Sequence, residues 1–379
     1  MRTTFFSAVL FFTLGAASDS RAQGALSLQG LGFPTGGLSA RAEGAGGSVA
    51  DFDPLSLVTP ASIAGVPSPS LYLQYSPEFR RVTTSSGSAK TTTARFPLVA
   101  GVLPMGSTWT LGLSSATFLD RSSETSLVRS EVVGGTLDTV SVTERNRVLG
   151  AINDVRLALA WSRSPTLRIG GGAHVFAGSN RITFAQLFPD TAIFTSTSQR
   201  ERISYAGFAG SLGVEYHPSR AIAFAISGRK GGDLRAEAGD TAIGHAPLPD
   251  HYSASVTFEG LTGAAISLRV AHDGWSSLNS LSSGMQAFDG WDTGAGIEAS
   301  GPRILQRIVT LRAGARIRTL PFGFNGEKVS ETSFAAGFGV PLTRERAGLD
   351  FAVQRASRSA GSDIKERGFI LSFGLRVSP

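Results

Sequence analysis

The chain has no cysteine among its 379 residues. That excludes disulfides, thiolate metal sites, a thiol nucleophile and a lipid-modified N-terminal cysteine. Charge is also scarce: Asp, Glu, Lys and Arg make up 17%, against about 25% in a typical soluble domain. Long apolar runs are missing. The only substantial one, Phe5 to Ala17, is too short to span a bilayer as a helix. The five histidines, His174, His217, His245, His251 and His272, show no metal-ligand spacing. No histidine sits beside a nucleophile motif. Asp250-His251 and His272-Asp273 are neighbours in sequence, so on a strand their side chains point to opposite faces. Gly170-Gly171-Gly172 has no helix after it, which removes a phosphate loop and leaves close backbone approach as its reading. No catalytic residue, metal or cofactor is therefore expected, and the chain is not read as an enzyme. Net charge is +6, but the arginines are spaced singly and not clustered, which argues against nucleic acid.

What is present is glycine, 46 residues, about 12% against a usual ~7%, and a rhythm of two. In the last segment Phe369, Leu371, Phe373, Leu375 and Val377 fall on one face. Gly368, Ile370, Ser372, Gly374 and Arg376 fall on the other. Period two means strand. From residue 70 onward fourteen such segments are expected. They centre near Leu73, Phe96, Leu111, Leu157, Ala173, Phe208, Phe224, Val256, Leu268, Ala295, Ala313, Gly337, Phe351 and Phe373. Short connections such as Pro104-Met105-Gly106, Ser164-Pro165 and His217-Pro218 alternate with longer ones. The long ones are 120–144, 185–200, 230–249, 276–289, 321–329 and 357–363, and the connection near Gly301 fits the scheme least well. Short turns on one side and long loops on the other is the sidedness of a bacterial outer-membrane barrel.

Residues 1–22 read as a signal peptide. Arg2 begins it and Ser20-Arg21-Ala22 gives the small-x-small cleavage site, so the mature chain starts at Gln23. Residues 23–69 are rich in Gly, Ala, Ser and Pro, lack alternation, and are too few for a domain; they are expected to fill the lumen as a plug. Residues 70–379 form the barrel. The fold class is all-β: a transmembrane antiparallel β-barrel of about fourteen strands with an N-terminal lumenal plug.

Bulky apolar residues share one strand face: Leu157, Leu159 and Trp161; Phe208, Leu212 and Val214; Phe334, Phe338 and Val340. That face should meet lipid. Arg95, Arg156, Arg168, Arg229, Arg269, Arg312, Arg316, Arg318 and Arg376 fall on the other face. An Arg on the lipid face near the midplane would cost roughly 2–4 kcal/mol, so these belong in the lumen or at the rims. Two readings stay open for them. They pair with lumenal acids such as Asp350 and Glu215, or Arg269, Arg312, Arg316 and Arg318 attract an anionic head group. Tyr75, Trp109, Trp161, Tyr216 and Trp275 are expected in aromatic girdles.

The N-terminal segment Gly37-Leu38-Ser39-Ala40-Arg41-Ala42-Glu43-Gly44, then Val49-Ala50-Asp51 and Thr59-Pro60-Ala61, resembles the FadL family of outer-membrane transporters. So do Leu248-Pro249-Asp250-His251-Tyr252 with Gly274-Trp275-Ser276, and the closing strands around Leu349-Asp350-Phe351. The family has Asn where Thr59 stands. The resemblance implies passive uptake of long-chain fatty acids or other hydrophobic small molecules, with Thr59, Pro60 and Ala61 at the gate. Hydrophobic ligand contacts are expected from the plug (Phe33, Leu38, Phe52, Leu55, Leu57) and from the loop 185–200 (Leu187, Phe188, Ile193, Phe194). The alternative for that loop is that its apolar side chains pack on one another. Partners would be the solute, outer-membrane lipids and the barrel-assembly machinery, with the chain a monomer. Relatives of the same pattern serve as non-transporting anchor or shuttle barrels of a secretion system, and that function remains the alternative.

Overall fold

A computed structural model describes residues 30–84, 87–132, 139–189, 194–281, 286–304, 306–342, 346–361 and 364–378. The expected signal peptide, 1–22, and Ile193 lie outside the described residues. Seventeen strands form among the described residues. They are β1 (Phe33–Pro34), β2 (Ser70–Thr84), β3 (Gly87–Met105), β4 (Trp109–Asp120), β5 (Ser123–Val132), β6 (Thr139–Ser164), β7 (Leu167–Leu187), β8 (Thr197–Tyr216) and β9 (Ile222–Ala238). The rest are β10 (Thr241–Pro247), β11 (His251–Leu261), β12 (Ala264–Asp273), β13 (Gly290–Ile304), β14 (Arg307–Phe324), β15 (Glu327–Leu342), β16 (Ala347–Ala360) and β17 (Ile364–Val377).

Fourteen of them, all but β1, β5 and β10, make a closed antiparallel barrel, with β17 returning to pair with β2. Each of the fourteen expected centres falls in its own barrel strand. The wall is inside-out relative to a soluble protein. On β2 the polar Gln74, Glu78 and Arg80 are buried while Leu71, Leu73 and Phe79 are exposed. Phe208 and Leu212 on β8 are 67% and 72% exposed. Lipid accounts for that face, since water would penalise so many large apolar side chains.

Several expected long loops are instead strand. β9 and β10 form a hairpin, β5 pairs along β6, and β14 meets β15 through Asn325-Gly326, both at positive φ (52° and 82°). That is the two-residue turn which favours Asn-Gly. The arms of β5 with β6 and of β9 with β10 are mostly polar and carry little apolar alternation to mark them, whereas the β14–β15 arm buries Leu320, Phe322 and Val329 on its inner side. Gly301 lies within β13, where the register with β14 shifts between Ser300 and Arg303. Trp275 also departs from expectation. It opens a 3-10 helix, Trp275–Leu281, and is buried inside against Phe118, with ring centroids 5.2 Å apart. Trp109 and Trp161, by contrast, sit side by side at neighbouring strand ends.

The N-terminal segment lies against the inward face. Ser39 caps a short helix, α1 (Ala40–Gly44), by accepting from Ala42 N–H at 3.2 Å. Pro60–Gly65 form a 3-10 helix. The wall makes room for it with glycine. A Cβ on Gly170 would stand 2.5 Å from the Pro60 carbonyl carbon, and one on Gly213 2.7 Å from Thr59 Cγ2.

Candidate functional site

The interior is a polar network that ties the N-terminal segment to the wall. Asp51 is fully buried and accepts five hydrogen bonds. They come from Thr59 Oγ1 (2.7 Å), Ser253 Oγ (2.6 Å), Ser227 Oγ (3.3 Å), Ser255 Oγ, and Arg269 Nε (3.0 Å). Burial alone would push the Asp51 carboxyl up; Arg269 and the hydroxyl donors outweigh that and hold it below the usual carboxylate range. Arg41 of α1 forks onto Glu298 at 2.9 and 2.6 Å.

Each of the four arginines considered for a head group already faces a carboxylate. Arg269 also reaches Asp292 (3.2 Å), which Arg316 grips with two bonds of 2.7 and 2.6 Å. Arg312 lies between Glu298 (2.8 Å) and Asp350 (2.6 Å), and Arg318 meets Glu331 (2.6 Å). Phe33 is enclosed by cations: the guanidinium carbons of Arg80, Arg95, Arg318 and Arg358 lie 4.5 to 5.4 Å from its ring centroid. Arg358 in turn is held by Glu78, Glu331 and Glu366.

Between segment and wall lies a cavity of about 90 Å³. Its apolar side includes Leu38, Leu57, Val58, Phe118 and Trp275, and its polar side Asp154, Arg229, Arg269, Asp292, Arg316 and Arg318. The fold thus brings two of the plug candidates and three of the arginine candidates to one place. Phe33, Phe52 and Leu55 are elsewhere; Leu55 packs with Tyr72, Leu98 and Ala100. Thr59, Pro60 and Ala61 are buried at the wall glycines. In the loop, Phe188 and Phe194 stack on one another with centroids 5.3 Å apart, and Leu187 ends β7, exposed.

The wall is interrupted beside this cavity. β3 and β4 pair from Met105 opposite Trp109 as far as Leu98 opposite Ala116. Past Ala116, β4 leaves β3. It bulges at Phe118, continues along β6, and on its other edge pairs with β1, Phe33 opposite Asp120. Phe118, Leu119 and Asp120 are buried in succession, so the in-out alternation stops there. Arg95 of β3 spans the departure to Asp120 at 2.5 Å. Ala116, Thr117 and Phe118, at the departure itself, line the cavity.

Sequence reasoning missed two histidine pairs. His251 Nδ1 meets Asp273 Oδ1 at 2.8 Å across β11 and β12, where the two are register partners. Counting back from the turn at Gly263, where Leu261 faces Ala264, misses the pair by one residue, because the register shifts between Phe258 and Leu261. His174 lies between Asp154 (2.8 Å to Nδ1) and Ser211 (2.8 Å to Nε2) on three neighbouring strands. The order is that of a hydrolytic triad. Only Asp154 lines the cavity, however, and Gly172 is pressed so close to Ser211 that a Cβ there would stand 2.6 Å from its Oγ. Ser211 and His174 are both buried, and the trio ties three neighbouring strands together.

No protein-family model matches the sequence, and no curated protein matches it. Solved structures do. The chain superposes on a FadL homologue of Pseudomonas aeruginosa with a TM-score of 0.61 at 12% identity, over 92% of this chain and 99% of that one. The CymD monoaromatic hydrocarbon channel gives 0.57 at 13%, over 92% and 99%. The toluene transporter TodX of P. putida gives 0.56 at 12%, over 93% and 99%. Two of these neighbours are named as a channel and a transporter, and what this chain shares with all three is the FadL-type barrel fold.

Proposed function

We propose that this chain is an outer-membrane channel for passive uptake of long-chain fatty acids or other hydrophobic small molecules. In this reading residues 1–22 direct export, residues 23–69 are the plug, and the barrel acts as a monomer. The short turns then face the periplasm. The observation that carries the reading is the meeting of the cavity with the place where β4 leaves β3. A solute in the lumen has there a route between two strands into the apolar middle of the membrane. The exposed apolar wall and the likeness to hydrocarbon channels support it. Phe188 and Phe194 receive the solute outside, Leu38 and Leu57 take its tail, and Arg316 takes a carboxylate in exchange for Asp292.

The cavity is small, room for about three waters, where a drug-sized ligand needs roughly 300–1,000 Å³. Uptake therefore requires the plug to shift around Thr59, Pro60 and Ala61 or the segment before Leu38. The test is uptake of a labelled long-chain fatty acid and of toluene by a host lacking its own transporter. Leu57→Trp, which fills the cavity, should reduce both at least fivefold. Arg316→Ala should reduce the acid alone. A folded, surface-localised protein that admits neither solute would sink the transport reading in favour of the anchor.

A further inference from the structure

The outer ends of β6, β7 and β8 sort their charges by face. Outward on β6 run Val155 and Leu149, then Arg147 and Arg145; outward on β7 run Val175 and then Arg181. On β8 the outward series is Phe208, then Arg202 and Arg200. Register compresses these into two rows. Arg181 stands opposite both Leu149 and Arg202, and Thr183 opposite both Arg147 and Arg200. Directly opposed residues in such a ladder are about 5 Å apart at Cα, and like charges so placed repel.

Little on the molecule offsets this. Glu124 serves Arg145 (2.6 Å) and Arg147 (3.6 Å). Arg202 donates to Ser179 Oγ at 3.3 Å. Among the described residues, Arg181 and Arg200 meet no carboxylate. The acids of the same strands, Glu144 and Glu201, have the opposite parity and fall on the inner face, where Gln186 bonds Glu144. The adjoining β9 brings one outward acid, Glu237 opposite Ser204, which forms no ion pair with Arg202 among the described residues.

Depth fixes what this patch faces. Ile169 is the first exposed apolar residue of β7 from the short-turn end. Twelve residues on at about 3.4 Å each, tilted by about 40°, put Arg181 roughly 31 Å along the membrane normal. The apolar band of such barrels is about 25 Å tall. The arginines thus stand just past it, at the level of the polar head groups, pointing away from the lumen.

We propose that Arg147, Arg181, Arg200 and Arg202 form a binding site for the phosphate of an acidic lipid of the outer leaflet. A guanidinium fork matches phosphate oxygens two at a time, and one phosphate between opposed arginines turns their repulsion into shared attraction. The site rests on the outer-membrane placement and not on transport, so it survives a failed uptake assay.

The experiment uses the purified, delipidated full-length mature protein in detergent, with bis-phosphorylated lipid A and its dephosphorylated counterpart as probes and native mass spectrometry as readout. The wild type should retain the phosphorylated lipid at least tenfold over the dephosphorylated one. Arg181→Gln/Arg202→Gln should lose that preference while keeping the heat-dependent gel shift of a folded barrel, and Arg181→Lys/Arg202→Lys should recover part of it. Equal retention of the two lipids, or an undiminished preference in the Gln variant, overturns the site. Displacement of the lipid by millimolar inorganic phosphate would make it a site for soluble anions and overturn the lipid assignment.

Discussion

Asp51→Asn tests whether the N-terminal segment, the plug of the proposed function, is held by charge or by shape. The substitution keeps the volume and removes the charge that faces Arg269. It also turns one accepting oxygen into a donor beside Arg269, which can only donate, and beside the hydroxyls of Thr59, Ser227, Ser253 and Ser255, which must rotate to accept. Taking one partner from a buried ion pair costs about 3–5 kcal/mol. Arg269 keeps Asp292 at 3.2 Å, so the lower end applies, about 3 kcal/mol, or on the order of 100-fold in the docking equilibrium of the plug. The native carboxyl is held below its usual 3.8. Its contribution is therefore complete above about pH 4 and is lost only as pH falls through the depressed value.

The assay is hydrogen exchange of the folded protein at neutral pH, read for residues 40–60 and separately for the wall. Plug amides should lose about 100-fold of protection while β15 and β16, which do not touch Asp51, keep theirs. Plug protection unchanged to within about threefold would refute the reasoning. The plug would then be held by the fit of Pro60 and Thr59 against Gly170 and Gly213.

That fit has its own test. Gly213→Val places a Cβ within 2.7 Å of Thr59 Cγ2 and 3.0 Å of Pro60 Cδ; it should raise the ion conductance of single channels in planar bilayers by displacing the plug, and a wild-type trace would contradict it. Glu43 gives a pH dependence. Burial pushes its carboxyl up to about 7, against a smaller opposing pull from Ser372, Arg316 and Arg318. Because the docked value exceeds the free value of 4.5, docking is strongest below about pH 4.5 and weakens as pH rises towards 7. The loss is at most about 3 kcal/mol, less for the water that this half-buried side chain keeps. Protease susceptibility of the plug should rise over that window in the wild type and stay flat in Glu43→Gln; equal slopes would remove Glu43 as the cause.

The barrel was legible because lipid enforces a strict period of two, and all fourteen segments carry it. The β5–β6 arm was not, because Thr139 to Val148 is broken by Glu144, Arg145, Asn146 and Arg147, and so mixed a composition does not separate arm from loop. Parity placed Arg316 and Arg318 in the lumen correctly, yet it is silent on partners. Asp292 and Glu331 reach them from the neighbouring strands, and no spacing along the chain encodes that meeting. Phe33 shows the same limit. Read alone it is an apolar ligand contact; in the fold, arginines of β2, β3, β14 and β16 converge on its ring. Trp275 looked like a girdle residue because it follows a strand, but the chain turns inward after Asp273.

The distribution of ties argues for a local opening of the plug and against its expulsion. The segment is pinned at Phe33 by four guanidinium groups, at Arg41 by Glu298, and at Asp51 by three strands. Releasing all three anchors would break two ion pairs with the wall, Asp51–Arg269 and Arg41–Glu298, at up to about 3–5 kcal/mol each, and the cation–π contacts of Phe33 at about 0.5–2 kcal/mol each, a sum comparable to the whole stability of a domain. Between the first two anchors the ties are fewer. Pro34 accepts one long bond of 3.4 Å from Arg318, Thr35 bonds Thr117, and Ala40 N–H donates to Tyr72 Oη at 2.9 Å, while Gly37 is bonded within the segment, accepting from Leu57 N–H at 2.8 Å. Gly36 and Gly37 there have φ of 85° and 60°, a region glycine enters without strain and from which it can leave. This weakly held stretch brings Pro34, Gly36, Gly37 and Leu38 to the cavity beside Leu57 and Val58, and across from it Thr117 belongs to the departing end of β4. In the proposed function, a solute that widens the cavity at Gly36 and Gly37 therefore opens it towards the place where β4 leaves β3 while the anchors on either side stay closed.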